Sequence, residues 1–299
     1  MSRRRWVLAV AVVTGVITAA TPAFAATEAQ VVRQTRTSTW STPSSDPTGI
    51  AYNPRTRNFL ISDAEVDESQ QLWRKRNLFV VGRGGGLLAT RRVTKFSFEP
   101  EGLAWWGKKN TLFFADDDRD GIFRIKPGRD GKIGTLDDTG GKLVNTRRWG
   151  SFDPEGLTWR AISKTLIWVD ATDGLVYKLR QGPDRRFGSR DDRVTRFGTF
   201  KYGFTDPEGV TYDVASGYLF LASSRNDFLI QTTLGGRRVR TIQMPWCNVG
   251  CNISDLVFAP GTDGSRRRLY LLDRGKDNDA HPFPDYNDGK LYQVRFRKV

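Results

Sequence analysis

Three glutamates recur at nearly equal spacing along this chain of 299 residues, each within the same short phrase. Glu101, Glu155 and Glu208 lie 54 and 53 residues apart, and each stands between a proline and a glycine. In a closed array of repeats these equivalent positions surround one axis, where carboxylates repel one another unless they are protonated or bridged by a cation. Ca²⁺ accepts about six to eight oxygen ligands in flexible geometry. The spacing therefore predicts an axial metal or ligand site. The alternative is that each glutamate only accepts hydrogen bonds from neighbouring backbone N–H groups.

The phrase around these glutamates occurs five times, although its first and last copies are weaker. The copies begin at Asp46, Glu99, Asp153, Asp206 and Asn252. A fixed period of this size indicates an array of like structural units. The predicted metal-ligand column through the five copies is Thr48, Glu101, Glu155, Glu208 and Ser254.

Each phrase leads into a second apolar segment that ends in a polar or acidic residue. These segments are rich in β-branched and aromatic residues and are bounded by Gly, Asn and Asp, which predicts strands. Further alternating segments follow, and no stretch shows sustained helical spacing. Four short strands in each of five periods predict an all-β fold, a five-bladed β-propeller of four-stranded antiparallel blades.

The two ends of the chain bear on how such a ring closes. The fifth period ends at Val299 after its third strand, while a spare strand lies near residues 31–37. We predict that this N-terminal strand completes the last blade. A six-bladed ring is the alternative, if a further blade lies in the poorly repeating region 64–98.

In an antiparallel four-stranded blade, the loop before the first strand and the loop after the second strand lie at the same end. The glutamate phrases and the acids after the second strands should therefore share one end of the ring, here called the funnel face. The predicted ligand-contacting acids of this face are Asp63, Asp116, Asp118, Asp170 and Asp273. The segment 116–121 resembles the opening of a calcium loop, but Pro127 at its twelfth position excludes an EF-hand.

Two loops on the opposite face repeat each other 54 residues apart, with three acids in register. Loops this long inside a compact blade usually need an internal clip. A structural calcium ion is one candidate, and Asx-turn hydrogen bonds are the other. The acids are Asp130, Asp137, Asp138, Asp184, Asp191 and Asp192.

The N-terminus has three arginines, an apolar run and a small-x-small site that ends at Ala25. This pattern predicts a signal peptide over residues 1–25, a single propeller domain over 26–299, and a secreted protein without a membrane span. A retained anchor is the alternative. Cleavage removes three arginines and no acid, so the net charge falls from +14 to +11. In an exported chain, Cys247 and Cys251 predict a disulfide; a metal-binding pair is the alternative.

Several function classes are excluded by what the sequence lacks. His281 is the only histidine, which excludes histidine dyads. There is no Gly-x-Ser-x-Gly elbow, Walker loop or dinucleotide fingerprint. No nucleic-acid motif accompanies the positive charge, and export also argues against a nucleic-acid partner. An enzyme with this sequence would use carboxylates or metal-bound water.

The Glu-Gly phrases and the acids that end the second strands resemble those of secreted, calcium-associated propellers. These include esterase-like and phytase-related proteins, gluconolactonases and the five-bladed calcium-activated apyrases. In the apyrases a ring of Glu and Ser side chains holds an axial calcium. The resemblance implies Ca²⁺ bound by the metal-ligand column defined above.

Two functions remain open at the level of sequence. The first is a secreted binding protein with an axial calcium, whose funnel face takes a small anionic ligand, a glycan or a protein. The second is a metal-dependent hydrolase of phosphate or ester substrates, in which Glu101, Glu155 and Glu208 surround the ion. We expect a monomer in either case.

Overall fold

The computed structural model describes residues 27–299 apart from 70, 248, 249, 277 and 279–285. The predicted signal peptide and His281 lie outside these residues. The described part of the chain contains strands and short 3-10 helices. No helix within it has the length and apolar character that a bilayer crossing needs.

The strands account for most of the regular structure. In chain order they are β1 (Thr27–Arg36), β2 (Pro47–Asn53), β3 (Asn58–Asp63), β4 (Leu78–Gly82), β5 (Leu87–Arg91), β6 (Leu103–Trp106), β7 (Thr111–Asp116), β8 (Gly121–Lys126), β9 (Thr139–Asn145), β10 (Pro154–Arg160), β11 (Thr165–Asp170), β12 (Leu175–Arg180), β13 (Arg193–Gly198), β14 (Pro207–Asp213), β15 (Tyr218–Ser223), β16 (Phe228–Thr232), β17 (Arg238–Gln243), β18 (Ile253–Ala259), β19 (Arg268–Asp273) and β20 (Lys290–Lys298). The 3-10 helices span Thr37–Thr39, Gly107–Lys109, Thr146–Trp149, Ala161–Ser163, Phe200–Tyr202 and Pro245–Cys247.

These strands form three four-stranded sheets and one eight-stranded sheet. The smaller sheets are antiparallel and run in sequence order, β2 to β5, β6 to β9 and β10 to β13. The larger sheet has the order β14-β15-β16-β17-β1-β20-β19-β18. Within it, β1 pairs antiparallel with β20 along its whole length. It pairs in parallel with β17 only at Thr27 and Glu28. The N-terminal strand therefore lies beside the last strand of the chain, as the sequence predicts.

The five repeat phrases form, or lead directly into, the strands β2, β6, β10, β14 and β18. Each of these strands contacts the next one, and β18 contacts β2, so the five close a ring. The described residues of the poorly repeating region 64–98 contribute only β4 and β5, which complete the first sheet.

The apolar core of the described residues consists of clusters that lie between successive repeat units. One cluster joins the first unit to the last, and there the rings of Phe59 and Tyr270 lie 4.6 Å apart. The others join the first and second, second and third, third and fourth, and fourth and fifth units. Burial of apolar surface between units is what holds the ring closed.

Glycine in the repeat phrase allows the inner strands to approach one another around the axis. A Cβ added at Gly102 would lie 2.4 Å from the Cα of Gly156. A Cβ added at Gly49 would lie 2.2 Å from the carbonyl oxygen of Glu101. Only a residue without a side chain permits this distance between backbones.

Asp255 occupies the position in the fifth phrase where the other four phrases have glycine. Its side chain is fully buried, and Oδ2 accepts a hydrogen bond from the backbone N–H of Ile50 at 2.8 Å. Burial raises the pKa of Asp255 well above its ordinary value, against the opposing effect of backbone hydrogen bonds that include those of Leu103 and Val210. One carboxyl group thus links β18 to the inner strands of three other units.

We expect Asp255→Ala to lower the free energy of unfolding by about 1–3 kcal/mol, because it leaves the Ile50 N–H buried without an acceptor. Asp255→Asn keeps an acceptor oxygen at this position and should cost less. Urea unfolding followed by circular dichroism would measure both changes. Equal losses in the two variants would contradict a hydrogen-bonding role at the axis.

Candidate metal centre

The two hydroxyl residues of the predicted metal-ligand column connect adjacent inner strands. Thr48 donates from Oγ1 to the carbonyl oxygen of Pro100 at 3.2 Å. Ser254 donates from Oγ to the carbonyl oxygen of Pro47 at 2.6 Å. Their hydroxyl protons therefore serve the closure of the ring, and the glutamates are the charged members of the column.

The three glutamates of the column are nearly completely buried and influence one another. Burial is the largest cause that raises the pKa of Glu101 and of Glu155 well above the ordinary value. The charges of Glu101 and Glu208 raise the pKa of Glu155 further. Burial also raises the pKa of Glu208, to about 7. The three carboxyl groups therefore lie close enough for the charges of Glu101 and Glu208 to act on Glu155.

A positive charge that the sequence reasoning missed acts on two of these glutamates. Arg274 directly follows β19, and its charge lowers the pKa of both Glu101 and Glu208. A comparison of the residues that follow the second strands could have revealed it. In the five units these residues are Ala64, Asp117, Ala171, Ser224 and Arg274. The position after the second strand therefore supplies a negative charge, Asp117, in the second unit and a positive charge, Arg274, in the fifth.

Among the described residues, three acids from two repeat units form a group that could hold a metal. Asp117, Asp153 and Glu155 each offer a carboxylate oxygen, and these oxygens all lie within 4.8 Å of one another. The Oδ1 atom of Asp117 is buried and has no hydrogen-bond partner among the described residues. Burial raises the pKa of Asp117 to about 6, and the charge of Asp153 contributes. Asp153 also accepts hydrogen bonds from the backbone and hydroxyl of Thr172 at 2.9 and 2.7 Å.

A second acidic pair lies beside this group. Burial, a side-chain hydrogen bond to Asp118 and the charges of Asp118, Asp117 and Asp67 together raise the pKa of Glu99 to about 8. Asp118 was predicted as a funnel residue, whereas Glu99, at the start of the second phrase, was not. A hydrogen bond between two carboxyl groups requires that one of them carries a proton.

The other four predicted funnel acids share one pattern of hydrogen bonds. Asp170 illustrates it, because its Oδ2 accepts hydrogen bonds from the backbone N–H groups of Phe152 and Asp153. The four share almost complete burial and acceptance of hydrogen bonds from nearby loop backbone: Asp63, Asp116, Asp170 and Asp273. They fasten the loops at the strand ends, where backbone N–H groups lack strand partners. That these four acids and Asp118 contact a ligand stays a prediction.

The two repeated loops of the opposite face are held by internal hydrogen bonds. Asp137 accepts from the backbone N–H of Asp130 at 3.2 Å, and Asp191 accepts from that of Asp184 at 3.0 Å. Asp138 and Asp192 accept from the backbone N–H of a glycine in the same loop. These bonds supply the internal clip that the loop lengths require. The structural calcium proposed for these loops stays a prediction.

The predicted disulfide is confirmed, because the structure joins Cys247 to Cys251. The bond closes a short loop directly after the 3-10 helix Pro245–Cys247. Cys247 is buried and belongs to the apolar cluster between the fourth and fifth units. The disulfide therefore fixes the connection between these two units.

Comparisons with known proteins place this geometry within a fold. No protein-family model matches the chain, and no curated protein matches its sequence. Among solved structures, it is similar to glutaminyl cyclase from Myxococcus xanthus, with 12% identity, 92% of this chain and 99% of that chain covered, and a TM-score of 0.57. A luciferin-regenerating enzyme gives 13% identity, 84% and 91% coverage, and a TM-score of 0.51.

A third similar structure is the PQQ-bound aldose sugar dehydrogenase from Streptomyces coelicolor, with 13% identity, 91% and 99% coverage, and a TM-score of 0.51. At such low identities these likenesses concern the fold alone. Together with the ring of inner strands and the four-stranded antiparallel sheets, they show that the chain is a β-propeller protein.

Proposed function

We propose that the chain is a secreted, five-bladed β-propeller that binds calcium at its funnel face and uses this ion to bind a ligand. The closed ring of five inner strands supports the blade count. The eight-stranded sheet then represents two blades, whose strands pair with each other only over the two residues at which β17 runs parallel to β1. The last blade would consist of β18, β19, β20 and β1.

The observation that carries the calcium site is the group Asp117, Asp153 and Glu155, whose oxygens lie within 4.8 Å of one another. The unpartnered buried Oδ1 atom of Asp117 supports it, because buried polar atoms normally have a partner. Carboxylate oxygens are the ligands that Ca²⁺ prefers, and its shell takes about six to eight oxygens. Three carboxylates leave part of that shell for water or for oxygens of a bound ligand.

The location of this group modifies the axial site that the repeat spacing predicts. Glu155 belongs to both sets, whereas Glu101 and Glu208 lie close enough to Arg274 for its charge to lower their pKa values. We infer that the ion lies on the side of Asp117 and Asp153, and that Arg274 neutralises the remaining glutamates.

The acidic character of the funnel face also bears on the ligand. The net charge of the chain is +14, but acids dominate around Glu155, and the charge of Arg274 acts on the neighbouring Glu101 and Glu208. An anionic ligand would be repelled by these carboxylates unless a cation mediated the contact. The proposed calcium would therefore be needed for any anion to bind at this face.

Calcium titration of the mature protein, residues 26–299, by calorimetry after treatment with a chelator tests the proposal. We expect saturable binding, and Glu155→Gln or Asp117→Asn should weaken it at least tenfold, about 1.4 kcal/mol. Asp263→Asn is the matched control, because it removes an exposed acid from a loop of the opposite face that belongs to no proposed calcium site. Absence of binding, or equal weakening by Asp263→Asn, would reject the proposed site.

A metal-dependent hydrolase is the second candidate function, and the Glu99–Asp118 pair is the observation that favours it. A carboxyl group with a pKa of about 8 holds its proton at neutral pH and could donate it to a leaving group. Turnover of a panel of phosphate, ester and lactone substrates would test this role. Loss of turnover in Glu99→Gln with calcium binding retained would support it, and no turnover by the wild-type protein would exclude it for these substrates.

A further inference from the structure

A second candidate site lies at the end of the ring opposite the funnel face. There the last residues of the inner strands enclose a cavity of about 520 Å³. This volume falls in the range typical of small-molecule pockets, about 300–1,000 Å³. The cavity lies at the other ends of the inner strands from the glutamates, so it is separate from the proposed metal centre.

The wall of this cavity carries one aromatic residue from each of the five repeat phrases. These occupy the same position in every copy and are Tyr52, Trp105, Trp159, Tyr212 and Phe258. Apolar residues such as Ile50, Leu103 and Leu157 provide further lining. Aromatic residues supply large apolar contact areas, and their rings favour stacking with another flat ring. The wall therefore suits a ligand with a flat, apolar body.

Two of the three charged residues in the lining of the cavity are positive. Arg266 and Arg267 belong to its lining, and Asp213 is the only acid there. Asp213 is already engaged, because it pairs with Arg267 and accepts hydrogen bonds from the backbone N–H groups of Ala215 and Ser216. A cationic ligand would meet uncompensated positive charge, whereas an anionic one would be attracted.

The loops around the cavity extend this positive charge. They connect the first and second strands of the units, and the acid among them, Asp263, pairs with Arg268. The basic residues of these loops are Arg55, Arg57, Lys108, Lys109, Lys164, Arg266 and Arg267. Basic groups around an apolar opening raise the local concentration of anions and speed their association. Basic residues thus predominate around this cavity, whereas acids predominate around the proposed metal centre.

We propose that this cavity binds a small aromatic carboxylate. The flat body lies among the five aromatic side chains, and the carboxylate contacts the arginines at the opening.

Calorimetric titration with 2-naphthoate tests this proposal, with neutral 2-naphthamide as the matched compound and decanoate as an aliphatic carboxylate. We expect 2-naphthoate to bind with a dissociation constant below about 1 mM, and the other two compounds to bind at least tenfold more weakly. Equal binding of the amide would overturn the assignment of an anionic ligand. Equal or tighter binding of decanoate would overturn the assignment of an aromatic one.

Variants of the mature protein locate the binding. Ala215→Trp, at an exposed position of the lining, should weaken 2-naphthoate binding at least tenfold by obstructing the opening. Arg266→Gln should weaken it about threefold to tenfold, and Arg190→Gln, an exposed arginine outside the lining, is the matched control. Unchanged binding in Ala215→Trp, or equal weakening in Arg190→Gln, would overturn the proposed location. A chelator should leave 2-naphthoate binding unchanged, because no calcium takes part in it. A failure of this proposal can therefore be distinguished from a failure of the proposed calcium site.

Discussion

Gly156→Ala should leave little folded protein. Its Cβ would lie 2.3 Å from the carbonyl oxygen of Glu208, 2.6 Å from the Cα of Gly209 and 2.8 Å from the backbone nitrogen of Val210. These are backbone atoms, so a side-chain rotation cannot relieve the contact, and β14 would have to move away from the axis. Overpacking among flexible side chains costs about 1–3 kcal/mol. Here we expect a loss of about 4 kcal/mol or more in the free energy of unfolding, a large share of the stability of a typical domain.

Gly86→Ala is the control for this variant. Gly86 lies between β4 and β5, where an added Cβ would meet no atom within 4 Å. We expect its stability to stay within about 1 kcal/mol of that of the wild-type protein. Soluble yield and thermal unfolding by circular dichroism measure both variants. If Gly156→Ala melted like Gly86→Ala, the inner strands could not lie as close together as the structure shows.

Much of the architecture could be predicted from sequence because the relevant information is local and repeated. The repeat period of the sequence predicts the positions of the inner strands. Because the fifth period contains only three strands, the sequence also predicts that β1 pairs beside β20. Asp255 could not be recognised in this way, because the fifth phrase departs from the Glu-Gly pattern at that residue. Its role depends on amide groups that arrive from other units through closure of the ring.

The candidate site could be predicted only in part. Burial and the path of each loop decide which acids accept hydrogen bonds from loop backbone and which can hold a metal. Asp170 and Glu155 are both acids of the funnel face, yet the oxygens of Asp170 accept hydrogen bonds from loop backbone, whereas Glu155 joins the candidate metal group. Asp117 and Arg274 occupy equivalent positions in different units and have opposite charge. The positive net charge of the chain also did not predict the acidic character of the funnel face, because basic residues are concentrated around the cavity at the opposite end.

The acids of the funnel face should make the stability of the calcium-free protein decrease as the pH rises. The pKa of Glu208 is raised from 4.5 to about 7 and that of Asp117 from 3.8 to about 6, in both cases mainly by burial. In the pH range between the two values of each group, the folded state binds more protons than the unfolded state. The free energy of unfolding therefore falls with increasing pH. Thermal unfolding with a chelator should show this decrease between about pH 4 and pH 7.

Calcium should reverse much of this decrease, because the ion and the protons compete for the same carboxylates. Stabilisation by calcium should be small near pH 5 and grow towards pH 8, where a hundredfold excess over the dissociation constant stabilises the folded state by about 2.7 kcal/mol. Glu155→Gln removes one proposed ligand and should reduce both the calcium-dependent shift and its growth with pH. Asp263→Asn, in a loop of the opposite face, should leave both unchanged. A shift in melting temperature that is the same at pH 5 and pH 8, or that persists in Glu155→Gln, would mean that calcium binds elsewhere and that the buried acids of the funnel face are held by protons and Arg274 alone.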